Sequence, residues 1–225
     1  MRFSYVLFIA LIFAMSGYSC REKGGKNLDQ GEIHYNISYV GDFFVPKEFL
    51  PRNLILSFKD NKTLWEMTGM ANSGIINLSN PEEGIFDTYF SVPPLNIYYA
   101  GKQGELYPGF EVMDGMVISE TSKKAVICGL NCRNAEVSFP ADREIVLDIW
   151  YTDEIKIKNP NASTPFNKID GVLMSFFFLM GNTELHFEAE SVYKKDISDD
   201  TFERKAKYSR VSKEDIIRLM NKMGS

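Results

Sequence analysis

Between residues 33 and 39, apolar side chains recur at every second position. Ile33, Tyr35, Ile37 and Tyr39 alternate with His34, Asn36 and Ser38, the period of a half-buried strand. Pro46 and Pro51 bracket Lys47-Glu48-Phe49-Leu50, which reads as one short helical turn. Leu54, Leu56 and Phe58 restart the alternation, Asp60-Asn61 marks a turn, and 63–70 returns with Leu64, Glu66 and Thr68 set against Trp65 and Met67. Shorter strand candidates follow at 73–78, 84–92 and 95–100, separated by Asn80-Pro81, Pro93-Pro94 and the run Gly101-Lys102-Gln103-Gly104. Then come 116–120, 124–128, 131–139 and 144–151. The segments 171–180 and 183–193 predict a last hairpin turning at Gly181-Asn182. In the second of these, Leu185, Phe187 and Ala189 face one way and Glu184, His186, Glu188 and Glu190 the other.

Helical periodicity enters only at the end. Ser212 followed by Asp215 resembles a capping box with a shortened acid. Beyond it, Ile216, Ile217, Leu219, Met220 and Met223 form an amphipathic stripe. No unit repeats at a fixed period, which argues against a solenoid or propeller. Consecutive antiparallel strands usually pair with their neighbours. The expected fold is mainly β (α+β): a single large curved antiparallel sheet or incomplete barrel, with a few helices, including a C-terminal helix, on one side.

One strand breaks the alternation. Val172 to Met180 is apolar on both faces, interrupted only by Ser175. As a helix it would be too short to span a bilayer, and a strand of this kind must be covered front and back. A helix can supply one cover. The other can be more protein, a lipid-like ligand or a partner. Two readings stand side by side: an ordinary central strand in a closed core, or the wall of an apolar cavity for an acyl chain, where methionine adapts to irregular shapes. The cavity candidates are Met174, Phe176, Phe177, Phe178 and Met180, with Trp65 and Trp150.

The first nineteen residues change the address. Arg2 precedes an apolar run, then Ser16, Gly17, Tyr18 and Ser19 lead to Cys20. This is the layout of a signal peptide, and a cysteine at the cut site resembles a bacterial lipoprotein signal. A transmembrane anchor needs a longer apolar run, roughly 20 residues. A cleaved, unlipidated signal is the other alternative, given bulky Tyr18. The expected organisation is a lipoprotein signal peptide over 1–19, a flexible tether over 20–30 and one β domain over 31–225. The protein is then exported and held at the envelope, at the outer membrane, through lipidated Cys20.

Composition supports a packed core, with 44% apolar and 13% aromatic residues. The net charge of -5 is spread without a basic stripe. That argues against nucleic acid as a partner and against a polybasic grip on anionic lipid. Cys128 and Cys132 flank a tight turn, and a bridge between them and a reduced pair are both open, since geometry decides. CxxxC without partner cysteines, and with His34 and His186 far off in sequence, gives no metal site. Neither histidine is linked to a nucleophile. Asp153-Glu154 and Asp170 could do acid–base work on a sugar, but acids beside turns are commonplace. Asp199, Asp200 and Glu203 read as a solvated patch. No cofactor motif is present, and no enzymatic activity is expected. Phe43, Phe44, Tyr89 and Tyr107 are candidate exposed aromatics for a partner surface.

Several stretches carry a resemblance: Gly31-Glu32-Ile33-His34-Tyr35-Asn36-Ile37, Tyr151-Thr152-Asp153-Glu154-Ile155, Asn159-Pro160-Asn161, Thr164-Pro165-Phe166, Ile169-Asp170-Gly171-Val172-Leu173-Met174, and Gly129-Leu130-Asn131-Cys132 followed by Ala135. They resemble small lipoproteins of unknown function that look like the LolA/LolB lipoprotein-carrier superfamily. The resemblance implies an incomplete antiparallel barrel wrapped around helices, with a hydrophobic cavity. Cys128 departs from the pattern and brings redox chemistry into view. The expected function is an envelope lipoprotein holding a lipid, or the acyl part of another lipoprotein, between sheet and helices. The alternative is a structural or interaction lipoprotein with a filled core and an unnamed protein partner.

Overall fold

The structure, a computed structural model, describes residues 27–41, 50–139, 142–180 and 183–224. The signal segment, Cys20, Phe43, Phe44, the expected turn around Lys47 and the Gly181-Asn182 turn lie outside the described residues. Twelve strands form one sheet. They are β1 (Gln30–Val40), β2 (Asn53–Lys59), β3 (Lys62–Thr68), β4 (Gly74–Asn80), β5 (Ile85–Val92), β6 (Leu95–Ala100), β7 (Val117–Ile127), β8 (Leu130–Phe139), β9 (Asp142–Thr152), β10 (Val172–Met180), β11 (Thr183–Tyr193) and β12 (Ser209–Arg210), followed by helix α1 (Lys213–Gly224).

The order β12-β6-β5-β4-β3-β2-β1-β11-β10-β9-β8-β7 is two meanders joined where β1 pairs with β11. The pairings are antiparallel apart from β12, which runs parallel to β6. The sheet is open, with β7 and the short β12 at its edges. The expected mainly β sheet with a C-terminal helix is therefore what forms. The segments 116–120 and 124–128 join as one strand, β7, whose pairing shifts between Glu120 and Lys124. Such a bulge breaks the alternation without ending the strand. At the β7–β8 turn, Cys128 (φ 51°) and Gly129 (φ 77°) are both left-handed, as a two-residue type I′ hairpin requires.

Three irregular segments cover the sheet. The 101–116 connection must travel from β6 to β7, near opposite edges. It meets the 153–171 connection where the Tyr107 amide donates to the Ser163 carbonyl at 3.0 Å. Together they bury Tyr107, Met113, Ile155, Ile157, Phe166 and Ile169. The chain after β11 crosses the opposite face of β3–β5, where Ile197 and Phe202 pack on Leu64, Leu78, Ile85 and Tyr89. It then rounds the β6 edge as β12, and α1 sets Ile216 and Met220 against Phe90 and Ile97. Neighbouring residues Tyr89 and Phe90 point to opposite faces of one strand, so this tail clasps the β3–β6 arm from both sides.

Two expectations are corrected here. The helix does not cover the oily strand; α1 lies over β5 and β6, and the irregular connections cover β10. Tyr89 and Tyr107 are buried, not exposed. Tyr89 stacks on Tyr98 at 5.3 Å, meets Tyr208 edge-on at 4.9 Å and donates to Asp87 at 2.9 Å. Both tyrosines are covered by chain far away in sequence, which turn residues nearby cannot reveal.

Candidate functional site

Strand β10 is apolar on both sides because both sides are covered. Phe176 stacks on Phe187 at 4.8 Å and meets the Tyr35 and Trp65 rings at 5.6 and 5.7 Å. Phe178 stacks on Phe110 of the 101–116 connection at 4.3 Å. Phe166 of the 153–171 connection lies 5.8 to 6.4 Å from the rings of Phe176, Phe177 and Phe178. Phe177 also meets Phe139 at 6.3 Å. The Tyr35 hydroxyl donates to the Leu173 carbonyl at 2.8 Å. Desolvation holds its pKa far above that of a free phenol, so it stays a neutral donor. Each fully buried phenylalanine is worth about 1.5–3 kcal/mol, and these rings pack closely against one another around β10. Beside them, Trp65, Met67, Ile75, Phe110, Phe178 and Met220 border an apolar cavity of about 60 Å³. Drug-sized ligands need roughly 300–1,000 Å³.

A larger opening lies where β10 changes partner. β10 pairs with β9 through Val172, Leu173 and Ser175, and with β11 from Ser175 to Met180. The register shifts between Leu173 and Ser175, which takes Met174 out of the pairing. Beyond Glu188, β11 keeps β1 as its ladder partner. The strands part, and a cleft of about 660 Å³ opens there. Trp150 and Met174 border it, with Asn36, Ser175, Tyr193 and the tip of the β7–β8 hairpin, including Val126. Met174 is sealed, Trp150 half-buried and Val126 exposed. The lining is therefore part oily and part polar, with the carboxylate of Glu188 among it.

The structure thus divides the residues named from the sequence. Met174 and Trp150 meet at the cleft. Trp65 and Phe178 meet at the small cavity. Phe176 and Phe177 are packed core, and the side chain of Met180 lies outside the described ones. Sequence reasoning missed Tyr193 and the hairpin tip, whose approach to β10 depends on a bulge that the apolar run hides.

The remaining candidates have structural work. Cys132 is a free, buried thiol, so no Cys128–Cys132 bridge forms. The reason is register: Cys132 sits opposite Ala125, and Cys128 sits in the turn. Burial pushes the Cys132 thiol up to about 11, which keeps it protonated and unreactive. His34 and His186 lie against Glu32 at 3.2 Å and Glu184 at 2.9 Å on the polar face. Glu32 is partly buried, which alone would raise its pKa. Hydrogen bonds from Lys195 and His34 outweigh that and hold it below the usual carboxylate range. Glu154 accepts from the Asn131 amide at 2.9 Å and its side chain at 2.7 Å, and Asp153 lies 3.8 Å from Arg133. Among the described residues, no group of three or more His, Cys, Asp or Glu side chains could hold a metal ion. No described helix is long and apolar enough to cross a membrane.

The cleft also lies at the end where the domain begins. The Asn27 amide donates to the Glu154 carbonyl at 2.8 Å. Glu154 in turn holds Asn131, whose cross-strand partner is Val126 on the cleft wall.

No family model matches the sequence, and no curated protein matches it. Among solved structures the chain is similar to PNGF-II in a C2 crystal form, with 16% identity and a TM-score of 0.53 over 87% of this chain and 33% of that one. The chain thus spans a third of the length of PNGF-II, and the likeness is one of fold. The lipoprotein LppX of Mycobacterium tuberculosis aligns at 10% identity and a TM-score of 0.35, over 76% of this chain and 90% of that one. LprF of Mycobacterium bovis aligns at 10% identity and a TM-score of 0.29, over 75% and 88%. At those scores the two carry no argument about this protein.

Proposed function

We propose that this protein is a non-enzymatic, lipid-anchored envelope protein that binds an apolar group such as an acyl chain, seated in the Trp150–Met174 cleft and not between sheet and helix. The observation that carries the reading is the contrast in room: about 660 Å³ at the cleft against about 60 Å³ in the aromatic interior. Half-buried Trp150 supplies oily contact above the sealed Met174, and the open, polar rim suits a ligand with one wet end.

Position supports the same reading. From Asn27 back to Cys20 is seven residues, a reach of at most about 25 Å. A lipid on Cys20 would keep the cleft close to the bilayer surface, where apolar chains are concentrated. More than one acyl chain on that residue would make the attachment durable.

A fluorescent fatty-acid probe titrated into the intact protein tests it. Saturable binding that weakens in Trp150→Ala is the expected result. No saturable binding, or binding indifferent to Trp150, would sink the proposal. The second reading, an interaction protein with a solid core, is favoured by the filled interior around Phe176. It would be left standing by that failure.

A further inference from the structure

A second pocket borders Trp65, and its chemistry differs from that of the small apolar cavity and of the cleft. It has a volume of about 180 Å³. Its aromatic walls are Trp65, Phe86 and Tyr107. Thr63, Ser79 and Asn61 come from β3, β4 and the β2–β3 turn. Gln103 and the 157–163 stretch come from the two irregular connections. The register aligns Thr63 with Ser79 and Ser79 with Phe86, so these residues share one face with Trp65.

Two donors carried by residues that border this pocket lack protein partners. Among the described residues, neither the Trp65 indole N–H nor the Thr63 hydroxyl has a hydrogen bond. Yet Trp65 is 7% and Thr63 4% exposed. Neither atom is among the sealed, unsatisfied ones, which are Asn80 Oδ1, Asp87 Oδ1, Tyr151 OH and Asn161 Oδ1. A buried indole N–H usually finds an acceptor, and leaving one unmet is costly. An acceptor must therefore come from whatever fills the adjoining space. Around these two, polar groups are partly committed. Asn61 accepts from the Lys158 amide through Oδ1 at 3.0 Å, which leaves its NH2 group for a ligand. The Tyr107 hydroxyl lies beside the Ser163 and Ser79 side chains.

We infer that this pocket binds one small, neutral, polyhydroxylated ring, the size of a single sugar residue. Size sets the first limit. A water takes about 30 Å³ of liquid volume, so the space holds a handful of waters or one such ring. Charge sets the second. Among the described residues of the lining, Lys158 is the one ionisable cation, exposed at the rim, and none is acidic. A charged guest would be desolvated without an inward counter-ion. Pattern sets the third. Donors at Trp65 and Thr63 and amides at Asn61, Gln103 and Asn159 match hydroxyls, which both give and accept hydrogen bonds. Aromatic walls suit the C–H faces of a ring. The residues differ from Asp153 and Asp170, and no bond-breaking step is involved.

The test uses the fact that the chain has two tryptophans. Trp150→Phe leaves Trp65 as the sole emitter. N-acetylglucosamine and glucose are titrated into the intact variant, with emission and saturation-transfer NMR read together. The expected result is a saturable change with a midpoint on the order of 1 mM and transfer to ring protons. Adding Thr63→Val, an isosteric loss of the hydroxyl, should weaken binding at least about threefold with circular dichroism unchanged. Asn61→Ala should act likewise. No saturable signal by either method up to about 100 mM would overturn the inference. So would saturable binding that both substitutions leave untouched, since the sugar would then sit elsewhere. A fatty-acid probe read at Trp150 is a separate measurement, so this result and that of the proposed function can fail independently.

Discussion

Met174 and Phe176 stand two residues apart on one strand, yet they border different kinds of interior. Around Phe176 the ladder with β11 runs in unbroken register, and rings from β1, β3, β11 and the 153–171 connection close on it. At Met174 the ladder loses register, and a cleft opens. Both residues are sealed from water. Apolarity and burial are therefore shared by core and cleft wall alike. What separates them is whether the backbone leaves a gap that other side chains cannot reach.

Breaking the solid side should have the largest effects. Phe177→Asp buries a carboxylate among Phe139, Phe166 and the His186 ring opposite it, at a cost of several kcal/mol. Little folded protein should be recovered, and soluble, cooperatively melting protein would contradict the packing described. Phe176→Ala should cost about 3–5 kcal/mol, seen as a lower urea midpoint, with fatty-acid affinity unchanged under conditions where the variant is folded. Trp150→Ala reverses the pattern: a modest loss of stability, and about a tenfold loss of fatty-acid affinity, equivalent to roughly 1.4 kcal/mol.

Acid should have the smallest effect. Asp148 is held below the usual range by the Asn134 side-chain amide and by Lys123, and Glu32 by Lys195 and His34 against its own desolvation. A carboxylate lowered in the folded state stabilises fully above its unfolded pKa, near 4. That contribution is lost as pH falls through the lower folded value. The melting temperature should thus hold from pH 7 to about 5 and fall below about 4. Asp148→Asn should shrink the fall. An unchanged fall in that variant would remove Asp148 from the explanation.

Much of the sheet is legible in the sequence because a two-residue period is local. Leu95–Ala100 matches the expected strand end to end, and the polar–apolar split of 183–193 appears in the burial of β11. The bulge at Glu120–Lys124 is legible only as an interruption. Covers are not legible, because they are long-range. Arg204 reaches buried Asp87 at 2.9 Å across 117 positions, and nothing near Tyr89 announces that tail. The candidate site was legible by residue type and not by grouping. Trp150 and Met174 belong to the cleft, whereas Phe176 and Phe177 are equally oily and merely fill space. The 180 Å³ pocket was invisible for the same reason: its walls come from strands and two connections that only the fold brings together.

The cleft and the aromatic interior can be told apart by contact quenching with a brominated fatty acid, which acts only at short range. Trp65→Phe leaves Trp150 as reporter and Trp150→Phe leaves Trp65. Saturable quenching of Trp150 with Trp65 spared is the expected result. Quenching of Trp65 with Trp150 spared would put the chain inside the aromatic core and contradict the cleft as the seat of binding.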